Sequence, residues 1–445
     1  ENIIARETKM SSYELMLSES QERMLIFSTP KHEKKISNLL EKWGLQSSVI
    51  GKAIPEKIIK VKNGNQVEAE INIPDITKTP EYVLQDTKPI WLSKLQKENL
   101  NQFKIPDSSP KEILLKLLSS PNIASKKFIY EQFDHQVQTN TVIGPGSDAA
   151  ILRLKSIEAG LALTTDGNSK LSYLDPYVGG LISVAEACRN LSCSGAEPIA
   201  ITDCLNFPDP EKPGNYYQLS ESIKGIAAAS KKFNVPVISG NVSLYNQSGN
   251  KAIFPTPIIG ALGIINESNK AISIGFKNEN DLVILLGSKS IDSPIDSLAG
   301  SDLIELIHQK IVGRPQIDLD HELLVQKTLL SAIKKNLIES AHDLSNGGLA
   351  VAIAESCIYG NLGFNGTTTP FDRWDTALFG ENQSRIIISV QSEKLSMLKE
   401  LLSAMKCPFL TLGFVSGKRF TLPKILDVDL NEISEHWENG LEKVV

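Results

Sequence analysis

One polar signature occurs twice in the chain, and that repetition limits the possible folds more than any other feature. Residues 17–27 read LSESQERMLIF and residues 379–389 read FGENQSRIIIS. Glu19 and Glu381, Gln21 and Gln383, and Arg23 and Arg385 are each 362 positions apart (381 − 19, 383 − 21, 385 − 23). Each copy continues into an amphipathic stretch, HEKKISNLLEKWG or EKLSMLKELLSAM, and then into an apolar segment that closes on Gly51 or Gly413, at the same offset. A gapless match at a long period marks a duplicated structural unit, here in strand, helix, strand order.

If residue 379 lies deep inside the second copy, residue 17 lies equally deep inside the first. The expectation is therefore a chain that begins within a domain, as the C-terminal part of a longer polypeptide. Glu1 is followed by no charged n-region and no apolar h-region, so it is not read as the start of a signal peptide.

A length of 445 residues calls for two to four domains, each with its own core. The hydrophobic fraction of 41% is ordinary for globular proteins. A net charge of −6 leaves no basic stripe, which argues against nucleic acid or an anionic membrane as the main partner. No apolar run reaches the length that spans a bilayer. The five cysteines lack zinc-site spacing, and reduced thiols in a cytoplasm are the simplest reading.

Along the chain, residues 1–75 read as the tail of the first copy, ending in EKIIKVKNGNQVEAEINI with Asn-Gly as a hairpin turn. Residues 76–110 are rich in Pro, Lys and Asp and read as a linker, with a helical stretch from 111; the boundary of this connecting region is set at 139. From 140 to 278 strands (GLALTTD, PIAITDCL, VPVISGNVSL, PTPIIGALGII) alternate with helices (SVAEACRNLSCSGA, YYQLSESIKGIAAASKKFN), an α/β or α+β domain. A second such domain covers 279–445, with a strand at DLVILLGS and helices at DHELLVQKTLLSAIKK and GGLAVAIAESC.

Polar groups gather at strand ends. PIAITDCLNFPDP ends its apolar run at Asp203, and VPVISGNVSLYN runs into Gly240 and Asn241 with Ser243 two residues on. Oxygen ligands of this kind suit magnesium and phosphates, and glycine lets backbone N–H groups approach an anion. Each of these residues also reads as a plain turn or cap. GPGSDAA brings Asp148 and TTDGN brings Asp166 to other strand ends; no Lys-Ser/Thr follows, so GPGSDAA is not a Walker A loop. HDLSNGGLAVAIAE places Asp343, Ser345 and Gly347-Gly348 at a helix start, which reads either as a phosphate seat or as an ordinary N-cap. Glu19, Ser20 and Gln21 precede an apolar strand, and a glutamate with a glutamine can satisfy both donors and acceptors of a polar substrate. The six histidines form no motif, and no cysteine or serine has the setting of a glutaminase nucleophile.

Together MSSYELMLSESQERML, GPGSDAAILRL, YLDPYVGG, ITDCLNFPDPEKP, SGNVSLYN and PTPIIGALG resemble the phosphoribosylformylglycinamidine synthase family, over essentially the whole chain. The resemblance implies two pseudo-equivalent halves, each an aminoimidazole-ribotide-synthetase-like N-domain and C-domain. Residues 1–75 would then be the tail of the first-half C-domain, 140–278 the second-half N-domain and 279–445 the second-half C-domain. It implies an ATP-dependent ligase that turns formylglycinamide ribotide into its amidine with glutamine-derived ammonia, in purine biosynthesis. By position, Glu19, Ser20, Gln21 and Ser243 would bind the ribotide, Asp203 and Gly240 would contact ATP, and Asn241 would ligate Mg2+. The family's catalytic histidine belongs to the first half, so no catalytic residue is assigned here. Implied partners are that first half, a separate glutaminase subunit and a small accessory subunit. Two alternatives stay open: another ATP-dependent synthetase or kinase of the superfamily, of selenophosphate synthetase or thiamine-monophosphate kinase type, and a non-catalytic nucleotide-binding assembly module.

Overall fold

The computed structural model describes residues 2–5, 7–19, 21–78, 81–249 and 251–444. It divides into two units, Glu1–Val83 and Leu84–Val445.

The first unit carries α1 (Ser12–Leu17), a 3-10 turn at Pro30–His32, α2 (Glu33–Lys42), the hairpin β1 (Ile58–Asn63) and β2 (Gln66–Asn72), and α3 (Ile73–Thr77). Local chemistry explains the elements. Ser11 and Glu14 form a capping box on α1, satisfying two free N–H groups at once. Gly64, at a φ of 59°, closes the hairpin where a side chain would be strained. None of the described residues of this unit is buried.

The second unit opens with α4 (Ile90–Gln96), α5 (Pro110–Leu118) and α6 (Lys127–Tyr130). The stretch read as a linker is thus folded from Ile90 onward. Leu92, Leu100 and Phe103 are buried, and α5 sinks Ile113, Leu114, Leu117 and Leu118 into the core. The Lys and Asp residues that suggest a linker, Lys94, Lys97, Lys104 and Asp107, are exposed, while Pro89, Pro106 and Pro110 are half-buried.

Next come β3 (Thr141–Ile143), β4 (Ala150–Arg153), β5 (Gly160–Asp166), α7 (Ser169–Leu174), α8 (Pro176–Cys193), β6 (Glu197–Asn206), α9 (Pro213–Phe233), β7 (Val237–Ser243), the short pair β8 (Gln247–Ser248) and β9 (Lys251–Ala252), and β10 (Thr256–Ile265). Among the described residues β3-β4-β5-β10-β6-β7 form one sheet, in that order. Only β6 and β7 pair in parallel, joined by the α9 crossover, which leaves β7 as an edge strand. α8 and α9 cover one face. They lie so close that a Cβ on Gly180 would strike the Ser222 carbonyl, and one on Gly225 the Tyr177 carbonyl. Ile151, Ala162, Ile201, Leu205, Ile259 and Ala261 fill the space between sheet and helices with Val184, Leu191 and Ile226.

The remaining elements are β11 (Leu282–Leu286), α10 (Asp302–His308), α11 (Leu319–Lys334), β12 (Ser340–Asp343), α12 (Gly348–Gly360), β13 (Phe364–Gly366), α13 (Trp374–Phe379), β14 (Ile386–Val390), α14 (Leu395–Met405), β15 (Phe409–Val415), β16 (Arg419–Leu422), β17 (Leu426–Asp429) and α15 (Leu430–Glu438). Their strands form a sheet in the order β12-β14-β11-β15-β13-β16-β17. LVILL of β11 is apolar throughout because both its faces are covered. Val283 and Leu285 point toward α5 and α12, and Ile284 and Leu286 toward α11 and α14. Truncating one such side chain to Ala costs about 2–5 kcal/mol.

The duplication is visible in the elements themselves. α1 and α13 begin and end 362 residues apart (374 − 12, 379 − 17), as do the 3-10 turns at Pro30–His32 and Ser392–Lys394. α2 and α14 start at the same offset (395 − 33). The counterpart of β14, residues 24–28, carries no strand. β14 owes its pairing to β11 and β12, which lie far upstream of it. No helix among the described residues is long and apolar enough to cross a membrane.

Candidate active site

The strand ends singled out in the sequence converge on the β5-β10-β6-β7 side of the first sheet. Ile259 of β10 stands opposite Asp166 on one side and Asp203 on the other, and Asp203 stands opposite Gly240. Residues directly opposite one another share a face, so Asp166, Ile259, Asp203 and Gly240 form one row. Two steps from Asp203 on either side are the buried Ile201 and Leu205, so this row looks toward the helices. Partial burial pushes the Asp203 carboxyl above its ordinary value. A Cβ on Gly240 would collide with that carboxylate, so glycine here makes room for Asp203.

Asn241 and Ser243 project from the opposite face, in register with Cys204 and Asn206. The structure thus brings Asp203 and Gly240 together, and Asn241 and Ser243 together, but on two sides of one edge strand. The Ser243 hydroxyl lies 3.2 Å from Asn246 Oδ1, and Asn246 Nδ2 donates to the Ser243 carbonyl at 2.8 Å. Asn241 and Gly240 are exposed. Glu19 and Gln21 are exposed in the first unit, where Arg23 donates to the Ile4 carbonyl at 2.9 Å. Ser20 lies outside the described residues.

The densest polar assembly in the second unit was not legible as a group in the sequence. Arg189, wholly buried on α8, donates to Asp343 through Nε, to Glu322 at 2.9 Å and to Gln383 at 3.0 Å, and pairs with Glu186 at 3.5 Å. Ser384 donates to Glu322 at 2.6 Å. Burial alone would lower the guanidinium's pKa, but the carboxylates of Asp343, Glu322 and Glu186 outweigh it and hold the group charged. One cation does not neutralise so many acids. Burial, with mutual repulsion, pushes the carboxyls of Asp166, Glu186 and Asp343 upward. Asp166 Oδ1 accepts from the Gly167 N–H at 2.6 Å, while its Oδ2 is buried with no hydrogen-bond partner among the described residues. The one sequence signal was a pair of charges, Glu186 and Arg189, inside the otherwise small and apolar AEACRN helix.

A second assembly surrounds Glu381, the counterpart of Glu19. Its Oε1 accepts from the N–H groups of Asp302 and Gly347, both at 2.8 Å. The helix start read as a phosphate seat is therefore already served by a carboxylate of the chain itself: Gly347 donates to Glu381, and Gly348 to the Ser345 carbonyl. Burial, and next the Asp302 charge, push Glu381 up to about 8. Lys170 lies against Asp302 and Glu305 at 2.5 and 2.9 Å. Asp148 sits in a third cluster, with His342 Nδ1 at 2.7 Å from one oxygen and the Asp343 N–H at 3.0 Å from the other. Among the described residues no three His, Cys, Asp or Glu side chains are arranged to hold a metal ion.

Comparison with known proteins places this architecture. Residues 146–265 match the AIR synthase related protein, N-terminal domain, and residues 2–63 and 278–421 match the AIR synthase related protein, C-terminal domain. The split of the second match follows the repeat. The chain is 41% identical over 443 residues to the phosphoribosylformylglycinamidine synthase subunit PurL of Caldanaerobacter subterraneus subsp. tengcongensis, covering 98% of this chain and 60% of that protein. It thus spans about 60% of the length of the curated relatives it matches. Among solved structures, T. maritima PurL complexed with ATP aligns with a TM-score of 0.60 at 23% identity, over 94% of this chain and 58% of that one. PurLQS from Thermotoga maritima aligns with a TM-score of 0.59 at 24% identity, over 93% and 58%. The chain belongs to the AIR synthase related family, whose N-terminal and C-terminal domain models together match most of it.

Proposed function

We propose that this chain is part of an ATP-dependent ligase that forms the amidine of formylglycinamide ribotide with ammonia released from glutamine, in purine biosynthesis in the cytoplasm. The observation that carries this is the 41% identity sustained over 98% of the chain with a PurL subunit. Residues 140–278 act as a nucleotide-binding-like N-domain and 279–445 as a C-domain, 76–139 connect them to the first unit, and 1–75 are the tail of a preceding C-domain. The other half of the polypeptide, a glutaminase subunit and a small accessory subunit complete the assembly. A PurLQS assembly of a structural relative supports these last two.

An amide oxygen is a poor leaving group. ATP, when bound, supplies the phosphoryl group that makes it a good one, and ammonia then displaces phosphate. Asp203 and Gly240 contact the nucleotide, with Gly240 letting the backbone approach closely. Asn241, on an exposed edge strand, would offer Mg2+ an amide oxygen, a hard ligand of the kind that ion takes. Glu19, Ser20 and Gln21 of the first unit, and Ser243 of the second, each offer donors or acceptors suited to binding a ribotide. Gly240 and Asn241, on opposite faces of edge strand β7, are both exposed.

The test is amidine formation by the polypeptide that carries this chain, supplied with ATP, Mg2+, the ribotide and ammonium. ATP-dependent amidine is expected with ammonium alone, and with glutamine only when the glutaminase subunit is added. No amidine from the intact polypeptide overturns the proposal.

A further inference from the structure

We infer that His342 is a positioning residue that ties the two domains of the second unit together and, through Asp148, sets the Asp343 carboxylate against Arg189. This rests on the family reading only for its effect on turnover; the geometry stands without it.

His342 is buried on β12, one residue before the strand ends at Asp343. Its two ring nitrogens face two carboxylates, Asp148 at 2.7 Å from Nδ1 and Glu355 at 3.1 Å from Nε2. A neutral imidazole has one N–H and can donate to only one of them; an imidazolium donates to both. Burial opposes the charge, yet the two carboxylates overcome it and hold the ring protonated well above its ordinary range. Other titratable groups facing these two carboxylates are Cys193 and Tyr359 toward Asp148, and Lys126 and Tyr359 toward Glu355.

The partners belong to different bodies. Asp148 comes from the GPGSD loop before β4, and Glu355 from α12 beneath the second sheet. The second oxygen of Asp148 accepts the Asp343 N–H at 3.0 Å. One carboxylate thus fixes both the His342 ring and the main chain of the next residue, whose side chain meets Arg189. Loop residue Gly146 backs onto Tyr359 of α12, where a Cβ would meet its hydroxyl, so the loop has little room to shift. Without the imidazolium, Asp148 and Glu355 would face each other's charge across an emptied space, and Asp148 would lose the constraint that aims its other oxygen.

The experiment compares the unmodified polypeptide with His342→Gln, Glu355→Gln and Asp148→Asn by nitrogen-resolved NMR of the ring and of the Arg189 Nε–H, together with nucleotide affinity and turnover. Two ring N–H protons are expected for His342 at pH 7, and a single one overturns the proposal. His342→Gln is expected to move the Arg189 Nε–H resonance and to lower turnover on the order of tenfold or more, as a misplaced group does. Adding Asp148→Asn to it should cause little further loss. An unmoved Arg189 signal, or losses that simply add, overturns the proposal. If His342→Gln fails to fold, Glu355→Gln, which keeps the Asp148 bond, and the ring protons of the unmodified protein decide. The ring and Arg189 signals involve no nucleotide, so their outcome is distinct from a failure to observe amidine formation.

Discussion

Gly240 stands opposite Asp203 across β6 and β7, in a space that a single methyl group on Gly240 would overrun. Gly240→Ala is expected to turn the Asp203 carboxylate aside and weaken nucleotide binding. β7 is an exposed edge strand, so the cost in stability should stay near 1 kcal/mol. Calorimetric titration with ATP, alongside a melting curve, checks this. A variant that binds ATP as the parent does would remove Asp203 and Gly240 from the nucleotide site.

Asn241 and Ser243 share the other face of the strand, with their side chains away from the core. Asn241→Ala is expected to lower magnesium-dependent turnover on the order of 10²-fold, while changing stability by only about 0.5 kcal/mol. Ser243→Ala should instead raise the KM for the ribotide and spare ATP affinity. Steady-state kinetics over a magnesium series separates the two, and unchanged turnover in both would sink the assignment.

Removing the cation at the centre of the buried acids should be severe. Arg189→Met leaves Asp343, Glu322 and Glu186 without their partner, and breaking such a buried pair costs about 3–5 kcal/mol. The Asp343 and Glu186 pKa values, already raised by burial, would rise further in the variant, so its folded state holds more protons than its unfolded state. Its stability should therefore fall as pH rises, and the deficit against the parent should be smaller at pH 5 than at pH 8. Denaturant unfolding at the two pH values measures this; an equal deficit at both contradicts it.

Glu381 allows the same logic with a milder change. Its carboxyl is raised from 4.5 to about 8 in the folded chain, so it takes stability away progressively as pH climbs through that window. Glu381→Gln keeps an acceptor for the Asp302 and Gly347 N–H groups and removes the ionisation. The variant's melting temperature is expected to decline less than the parent's between pH 5 and pH 8. Parallel curves would show that Glu381 does not titrate there.

Much of the scaffold could be read from the chain because its causes are local. GLALTTD is a strand from Gly160 to Asp166, as its pattern implies. The helix containing SVAEACRN starts earlier than its apolar spacing suggests, at Pro176, because Asp175 caps it by accepting from the Val178 N–H. What stayed hidden depends on distant neighbours. Arg189 finds Glu322, Asp343 and Gln383 from more than a hundred residues away, and no spacing rule announces that meeting. His342 looked isolated for the same reason: Asp148 reaches it from the other domain. The signals at Asp203 and Gly240 were readable one by one, but only the register shows that they share a face while Asn241 and Ser243 share the other.

The matched helices at an offset of 362 residues also bear on how the two copies can change over evolutionary time. In the second copy Glu381, Gln383 and Arg385 are all engaged by their own protein, through Asp302 and Gly347, Arg189, and the Gly380 carbonyl. In the first copy Glu19 and Gln21 face outward. A mutation at Glu381 is therefore judged by folding, whereas Glu19 is exposed in the described first unit. The same triplet is thus set among different neighbours in the two copies, and its surrounding chemistry can drift apart while α1 and α13 keep matching boundaries.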